Sequence, residues 1–415
     1  WEVLIKRHPD YPELVQQHIQ ADKAASARLA VAAALYKTGS KPVILLITHA
    51  LGGGTDRHVK DLIDESDQCA NFILLDPTEI GIQLSVPQIK GLSTIIFQPT
   101  EVLILVELLK SFGVSRCHIH HWIGNEMDIC KLIDSLGVPF DLTIHDYYSI
   151  CPRINLVRPT ENDYCGEPGP GECNTCITDL STQGITDITE WRNRNLWMFN
   201  EAKRVICPSE DSKRRIMLYY PHARLMVAPH QFVEEDLWSV KVPQLKKGDR
   251  MRIVVLGAIA KGKGLEKLIA AAEINQKLYK FIVIGYTHPP IPYRLRHIIT
   301  VRGRYEENEL NSLISKENAH VVWFPNIWPE TYSYTLSSAL KAKLPIIAPT
   351  LGAFPERLEN RPLTWLFDQS SDTSKLNKLF EQIHDVLSKQ TATDLAGKRK
   401  ITTNNFYKSD YLLPH

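Results

Sequence analysis

From Lys41 onward, short apolar runs rich in β-branched residues alternate with segments whose apolar positions recur every three or four residues. The runs at 42–48, 71–75, 93–97, 116–120, 139–145, 203–208, 224–228, 251–257, 280–284, 297–301, 320–324 and 344–348 are strand-sized. They are continuous rather than alternating. That pattern predicts strands buried on both faces, in mostly parallel sheets covered by helices. The stretch "GLEKLIAAAEI", 264–274, is the helical counterpart: Leu265, Leu268, Ile269 and Ala272 share one face that would pack on a sheet.

The rhythm breaks twice. At 151–177 the text turns rich in proline, glycine and cysteine, which predicts a long insertion loop. At 234–250, "EEDLWSVKVPQLKKGDR" is charged and without period, and reads as an interdomain linker. Residues 1–40 read as a helical extension. The pattern therefore predicts an α/β protein of two doubly wound units facing a cleft, with ligands at the carboxyl ends of the strands.

Composition narrows the function classes. The 415 residues are 44% hydrophobic and 23% charged, ordinary for a globular chain of two or three domains. Forty-eight basic residues against 47 acidic ones supply no field for nucleic acid. No apolar run approaches the ~20 residues that span a bilayer. No secretory signal is read at the start. The chain opens on Trp1, so it is expected to be part of a longer, multidomain protein.

The first candidate chemistry lies in "VILLITHALGGGTDRHVKDLI", 43–63. Gly52, Gly53 and Gly54 follow a strand, and a helix is expected to start near Thr55 or Asp56, both good N-cap types. A glycine turn feeding a helix N-terminus presents backbone N–H groups to an anion, or lets a sugar approach the main chain. The stretch is neither a P-loop, lacking the Gly-Lys-Ser/Thr ending, nor the dinucleotide fingerprint, since Arg57 takes the place of the third glycine. Alone, it is equally read as a tight turn.

The second half supplies the context. "FPNIWPETYSYTLSSALKAKLPIIAPTLGAFPER", 324–357, carries a strand end, a loop with Glu330, a helix over about 334–342, a strand and a glycine turn. It resembles the donor segment of the retaining GT-B glycosyltransferases of family 4, the "glycosyl transferases group 1" domain. "VVLGAIAKGKGLEKLI", 254–269, is similar to that family's strand and Lys-Gly phosphate clamp, and "THALGGGTDRHV", 48–59, to its glycine loop. "HIHHW", 118–122, resembles its His-bearing strand end, and "ICPSEDSKRRI", 206–216, its late strand–helix junction. The ordered set covers about 42–390.

The resemblance implies a GT-B fold: an acceptor-binding Rossmann-like domain over 41–230, a nucleotide-sugar domain over 231–375, and a C-terminal helix and tail, 376–415, crossing back. It also implies residue roles. Gly52, Gly53 and Gly54 would lie against the donor diphosphate or the acceptor. Lys263, assisted by Lys261, would neutralise the leaving diphosphate. Glu330 would face the donor sugar's hydroxyls, and Tyr332, Ser333, Tyr334 and Thr335 would bring their backbone to sugar and phosphate. His120 matches the family's active-site histidine, with His121 a close competitor, and Asp146 and Tyr147 would face the acceptor side. Fixed cations and helix-end amides suit a reaction that builds negative charge on a diphosphate. No metal is required for that, and no Asp-x-Asp pair is present.

Two positions depart from the family's pattern. Its second glutamate, which holds the nucleotide ribose, falls on Ser338, and its Gly-Arg arginine falls on Ala258. Bland readings stand beside each role. Glu330 is also an exposed loop acid, Lys263 a solvated lysine, and some of His118, His120, His121 and His145 must be core. Ser209 reads as a helix cap, and Trp328 and Tyr334 as packing residues.

Cys151, Cys165, Cys173 and Cys176 cluster in "CPRINLVRPTENDYCGEPGPGECNTC". The Cys-x2-Cys bite suits a structural zinc; disulfides or free thiols are the alternatives. Cys69, Cys117, Cys130 and Cys207 are expected in the core. The resulting expectation is a hexosyltransferase using a UDP- or GDP-linked sugar and a glycan or lipid-linked glycan acceptor. Its setting would be bacterial surface polysaccharide or lipopolysaccharide synthesis, in the cytoplasm or at the inner face of the membrane as a peripheral protein. A GT-B domain that binds without turnover is the first alternative. An epimerase or phosphorylase on the same scaffold is the second.

Overall fold

The computed structural model describes residues 2–21, 24–231, 238–390, 394–397 and 406–413. They fall into two compact units. One comprises the residues up to Thr143 and those from Lys408 on; the other is Ile144–Tyr407.

In the first unit, helices α1 (Glu2–Arg7), α2 (Tyr11–Ala21) and α3 (Ala25–Thr38) precede strand β1 (Val43–Ile47) and helix α4 (Gly53–Ser66). Strands β2 (Asn71–Thr78), β3 (Gly81–Ser85) and β4 (Ile95–Phe97), helix α5 (Val102–Phe112), β5 (Val114–Ile119), α6 (Ile129–Leu136) and β6 (Phe140–Thr143) follow. The strands run in the order β6-β5-β1-β2-β3-β4. Pairing is parallel from β6 to β2, as the continuous apolar runs require. The edge differs from expectation: β2, β3 and β4 form an antiparallel meander. In β3 buried and half-buried residues alternate, the mark of a strand covered on one face only.

All five residues of β1 are buried, and α5 lays Leu105, Val106, Leu109 and Phe112 into the core. Tyr36 of α3 meets Phe112 edge-on, with ring centroids 5.7 Å apart. Near the C-terminus, Tyr411 is fully buried in this unit. Its carbonyl accepts from Arg116 at 2.8 Å, and Arg116 in turn faces Asp141 at 3.7 Å. Helix α4 begins earlier than Thr55. Gly52 takes the N-cap place at φ 69°, a backbone that glycine adopts without a Cβ penalty, and Thr55 is buried.

The second unit opens with the insertion: β7 (Val157–Arg158), β8 (Asp163–Tyr164), α7 (Pro170–Asp179) and α8 (Ile188–Glu201). The stretch expected to be a plain loop thus contains a small antiparallel hairpin and a ten-residue helix. Next come β9 (Arg204–Cys207), α9 (Glu210–Tyr219) and β10 (Leu225–Val227), with β9 and β10 parallel. Ser209 caps α9 in a capping box with Ser212, as its type predicts.

Of the expected linker, 234–237 lie outside the described residues. The rest contains β11 (Ser239–Lys241), which pairs antiparallel with β18 (Asp394–Ala396), a contact too distant in sequence for periodicity to reveal. Between them lie β12 (Met251–Ala260), α10 (Leu265–Glu273), β13 (Tyr279–His288), β14 (Ile299–Val301) and α11 (Leu310–Lys316). Then follow β15 (Val321–Trp323), α12 (Tyr334–Lys341), β16 (Ile346–Pro349), α13 (Phe354–Arg357), β17 (Thr364–Phe367) and α14 (Thr373–Lys389).

The sheet order is β14-β13-β12-β15-β16-β17, every pair parallel. This is the doubly wound order 3-2-1-4-5-6. Met251, Ile253, Phe281, Val283 and Trp323 face α10 and α14 on one side. Val254, Ile282, Val322 and Ile346 face α11 and α12 on the other.

Among the described residues, no helix is long and apolar enough to cross a membrane. Cys117 and Cys207 are buried as expected, but Cys69 is exposed and Cys130 only half-buried. Cys69 falls just past the end of α4, and Cys130 lies in the first turn of α6, outside its buried positions.

Candidate functional site

In a doubly wound sheet the ligand crevice opens where strand order reverses, at the carboxyl ends of the strands. In the second unit that point lies between β12 and β15. The loops leaving those two strands carry Lys263 and Glu330. Lys263 follows β12 in a short 3-10 turn, Lys261–Lys263, and Glu330 lies in the loop from β15 to α12. Lys263 Nζ stands 3.7 Å from Glu330 Oε1, the lysine side chain 40% exposed and the carboxylate 17%. Asn326 Nδ2 and Trp328 Nε1 each donate to the same Oε1 at 2.7 Å. Lys263 Nζ also lies 5.4 Å over the Trp328 ring. The carboxylate is thus oriented through one oxygen, and its hydrogen bonds among the described residues all fall there.

Two close approaches fix these loops. A Cβ on Gly264 would meet Pro325 O at 2.0 Å, so only glycine lets the β12 loop press against the β15 loop. A Cβ on Gly352 would meet Glu330 N at 2.6 Å, and Ala353 N donates to Glu330 O at 2.8 Å.

Ser333 is the N-cap of α12, with φ 72° and ψ 93°, outside the regions favoured by L-residues. Its Oγ accepts from Leu336 N at 3.3 Å and lies 3.2 Å from Thr335 Oγ1. Buried Arg357 holds the strained turn by donating to Tyr332 O at 2.5 Å, Ser333 O at 2.7 Å and Ser337 Oγ at 2.8 Å. Its guanidinium lies 3.9 Å from the Tyr332 ring centroid. Tyr332 and Tyr334 pack with His230, which stacks on His145 at 4.9 Å. Ser338 lies in the second turn of α12, half-buried, and Lys261 is exposed.

In the first unit the order reverses between β1 and β5. Gly52, Gly53 and Gly54 follow β1; His120 and His121 follow β5, where both backbone N–H groups donate to Ile47 O, at 2.8 and 3.2 Å. Their side chains are not on the surface. His120 is 1% exposed, its ring 4.0 Å from His118 and 5.3 Å from His58 of α4. His118 is pinned between Thr143 Oγ1 at 2.7 Å and Tyr411 OH at 3.0 Å. Burial pulls the His58 imidazole down from 6.5 to about 3, so this column carries a neutral member at physiological pH. His121 is buried too, against His49 at 4.8 Å, and its Nδ1 accepts from Ile123 N.

Asp146 and Tyr147 are carried by the second unit, not by the one that holds the glycines. Asp146 Oδ1 accepts from Tyr148 N in a local turn. Tyr147 is buried, and burial pushes its hydroxyl well above the usual tyrosine range. Both turn geometry and interior packing thus account for residues read as acceptor-facing.

Cys151, Cys165, Cys173 and Cys176 border one cavity in the insertion. Burial pushes the Cys151 thiol up to about 12 and that of Cys165 to about 11. Sequence reading passed over Arg357, Asn326, His230 and Glu356. The Glu356 carboxylate accepts from Glu210 N and Asp211 N, 3.0 Å each, at the start of α9.

No family model matches the chain, and no curated protein matches it by sequence. Solved structures do match. Sucrose-phosphate synthase from Thermosynechococcus elongatus superposes with a TM-score of 0.56 at 15% identity, over 84% of this chain and 91% of that one. Anabaena HepE, solved in complex with UDP and also with UDP-glucose, gives 0.52 at 13%, over 85% and 92% for the UDP complex. WaaG, a glycosyltransferase involved in lipopolysaccharide biosynthesis, gives 0.52 at 13%, over 83% and 92%. At such identities the likeness shows the fold, and it is the GT-B fold with two Rossmann-like domains.

Proposed function

We propose that the protein is a retaining glycosyltransferase of the family-4 type, moving a hexose from a nucleoside diphosphate to a glycan acceptor. The observation that carries this reading is the Lys263–Glu330 pair at the β12/β15 switch point, 3.7 Å apart and partly exposed. A donor needs a cation for its departing diphosphate and an acceptor group for its sugar hydroxyls. Those two demands meet in one place here. Fold likeness to proteins solved with UDP and UDP-glucose supports the donor class.

In the proposed reaction the bond from the sugar's anomeric carbon to the diphosphate oxygen breaks. The acceptor oxygen attacks the same face, and its proton passes to the leaving diphosphate. Lys263, with Lys261 nearby, and the backbone amides over Tyr332–Thr335 stabilise the charge that develops. Glu330, held through Oε1 by Asn326 and Trp328, offers its other oxygen to the sugar.

Gly52, Gly53 and Gly54 are assigned to the acceptor side as a close-approach loop. His120 and His121, being buried, serve as positioning residues that brace the β1/β5 switch point. Polysaccharide or lipopolysaccharide synthesis on the cytoplasmic side is the proposed setting, supported by the likeness to WaaG.

Calorimetric titration with UDP, GDP and their hexose conjugates, followed by donor hydrolysis and transfer assays, tests the reading. Saturable binding of one base series with turnover is expected. Binding without turnover for every sugar would leave only a carbohydrate- or nucleotide-binding role, and no binding at all would refute the donor site.

A further inference from the structure

The four cysteines of the insertion come from three separate pieces of backbone. Cys151 follows the turn after Tyr147, Cys165 follows β8, and Cys173 and Cys176 lie one turn apart on α7. All eight cysteines of the chain are free thiols, so none of these four is spent in a disulfide. A zinc ion would draw four thiolates to one point, at about 2.3 Å each. Among the described residues, no three Cys, His, Asp or Glu side chains converge in that way. The four thiols instead line a single cavity of about 240 Å³. A cavity of that size is larger than one ion fills.

The walls point the same way. Leu156, Ile177 and Ile188 line the cavity and are themselves buried, giving it an apolar wall. N–H donors already reach the sulfurs: Glu167 N lies 3.4 Å from Cys165 Sγ, and Arg192 Nη2 lies 3.8 Å from Cys173 Sγ. Arg153 lines the same cavity. Its Nη2 donates to Cys176 O at 2.6 Å, while its Nε is buried with no hydrogen-bond partner among the described residues. A buried donor beside four thiols calls for an anionic acceptor.

We propose that Cys151, Cys165, Cys173 and Cys176 hold an iron–sulfur cluster in this cavity. Four cysteines bordering one cavity supply the ligand set of such a cluster, and N–H donors to sulfur are its usual tuning shell. On loading, the four thiols give up their protons and form four iron–sulfur bonds. The cluster would staple the insertion, whose hairpin is tied to α9 by Arg215 through Tyr164, Glu167 and Asp211. The site does not depend on the transferase reading.

Purifying the full chain without oxygen and measuring iron, zinc and acid-labile sulfide per chain tests the proposal. Iron and sulfide in equal amounts are expected, about four of each, with a visible absorption bleached by dithionite. Cys151→Ala and Cys173→Ser should fall to background, and Cys69→Ser, at an exposed thiol, should keep the full complement. Because the first two variants are liable to unfold the insertion, metal-stripped wild-type protein is also incubated anaerobically with ferric iron, sulfide and an excess of dithiothreitol, whose thiols reduce part of the iron. Uptake and return of the absorption are expected. One equivalent of zinc with no iron, or no uptake on reconstitution, would overturn the cluster.

Discussion

The two sheets reverse strand order in the same way, yet they spend different chemistry at the reversal. The second unit places a charged pair there, half open to water, on loops braced by glycine contacts and by buried Arg357. The first unit places glycines and a packed file of histidines, His58, His120 and His118. Polar residues that must meet a ligand stay accessible, whereas polar residues that only shape a loop are buried and partnered. A histidine at a strand end is therefore weaker evidence of catalysis than a half-exposed acid–base pair at the equivalent place.

Replacing one residue from each switch point puts that contrast to its hardest test. Glu330→Gln and Lys263→Ala should each lower turnover by about 10²–10³, the cost of losing one preorganised electrostatic contact, with little change in melting temperature. His120→Gln should do the reverse: a lower melting temperature, with turnover per folded molecule kept within a few-fold. Assays of turnover beside thermal melts read both. A silent Glu330→Gln, or a His120→Gln that loses turnover while melting normally, would invert the comparison.

The pH dependence of stability follows from the buried histidines. The folded first unit holds His58 at about 3, whereas the unfolded chain binds a proton there near 6.5. A depressed folded pKa gives stability that is present above the unfolded value and lost as pH falls below it. Between pH ~7 and pH ~5 this site alone should remove about 2 kcal/mol, with no effect above pH ~7.5. Urea midpoints over that range should show the slope in the wild type and lose this share of it in His58→Gln. An unchanged slope would mean that His58 takes up its proton without unfolding.

How much of this was legible beforehand depends on range in sequence. Strands β1, β12 and β15 were readable because strands buried on both faces leave nearly unbroken apolar runs. Glu330 and Lys263 were readable because a loop motif keeps its spacing. Ser209 was readable because capping is local. The edge strand β3 was not, since its alternation spans only five residues. Nor was the β11–β18 pair, whose partners lie far apart in the chain. Arg357 was invisible for a different reason. A lone arginine reads as solvated until the structure turns it inward to hold the carbonyls of Tyr332 and Ser333. The histidine file is a different case: the motif fell at the end of β5, and the burial of its side chains could not be read from it.

The smallest effect concerns the nucleotide rather than the sugar. Where the resemblance places a second glutamate for the ribose, this chain has Ser338, half-buried in the second turn of α12. A hydroxyl accepts one modest hydrogen bond where a carboxylate accepts a stronger, charge-assisted one, a difference of about 1 kcal/mol. Ser338→Glu should therefore tighten nucleoside diphosphate binding roughly five-fold by calorimetry, without changing the preferred base or the Glu330 dependence of turnover. Were the glutamate to weaken binding, the ribose would not lie over α12 in this protein. The correspondence between Ser338 and the family's glutamate would then be one of sequence alone. The donor sugar and its nucleotide would have to be placed from the Lys263–Glu330 pair outward, through the Ser333 turn that Arg357 holds open.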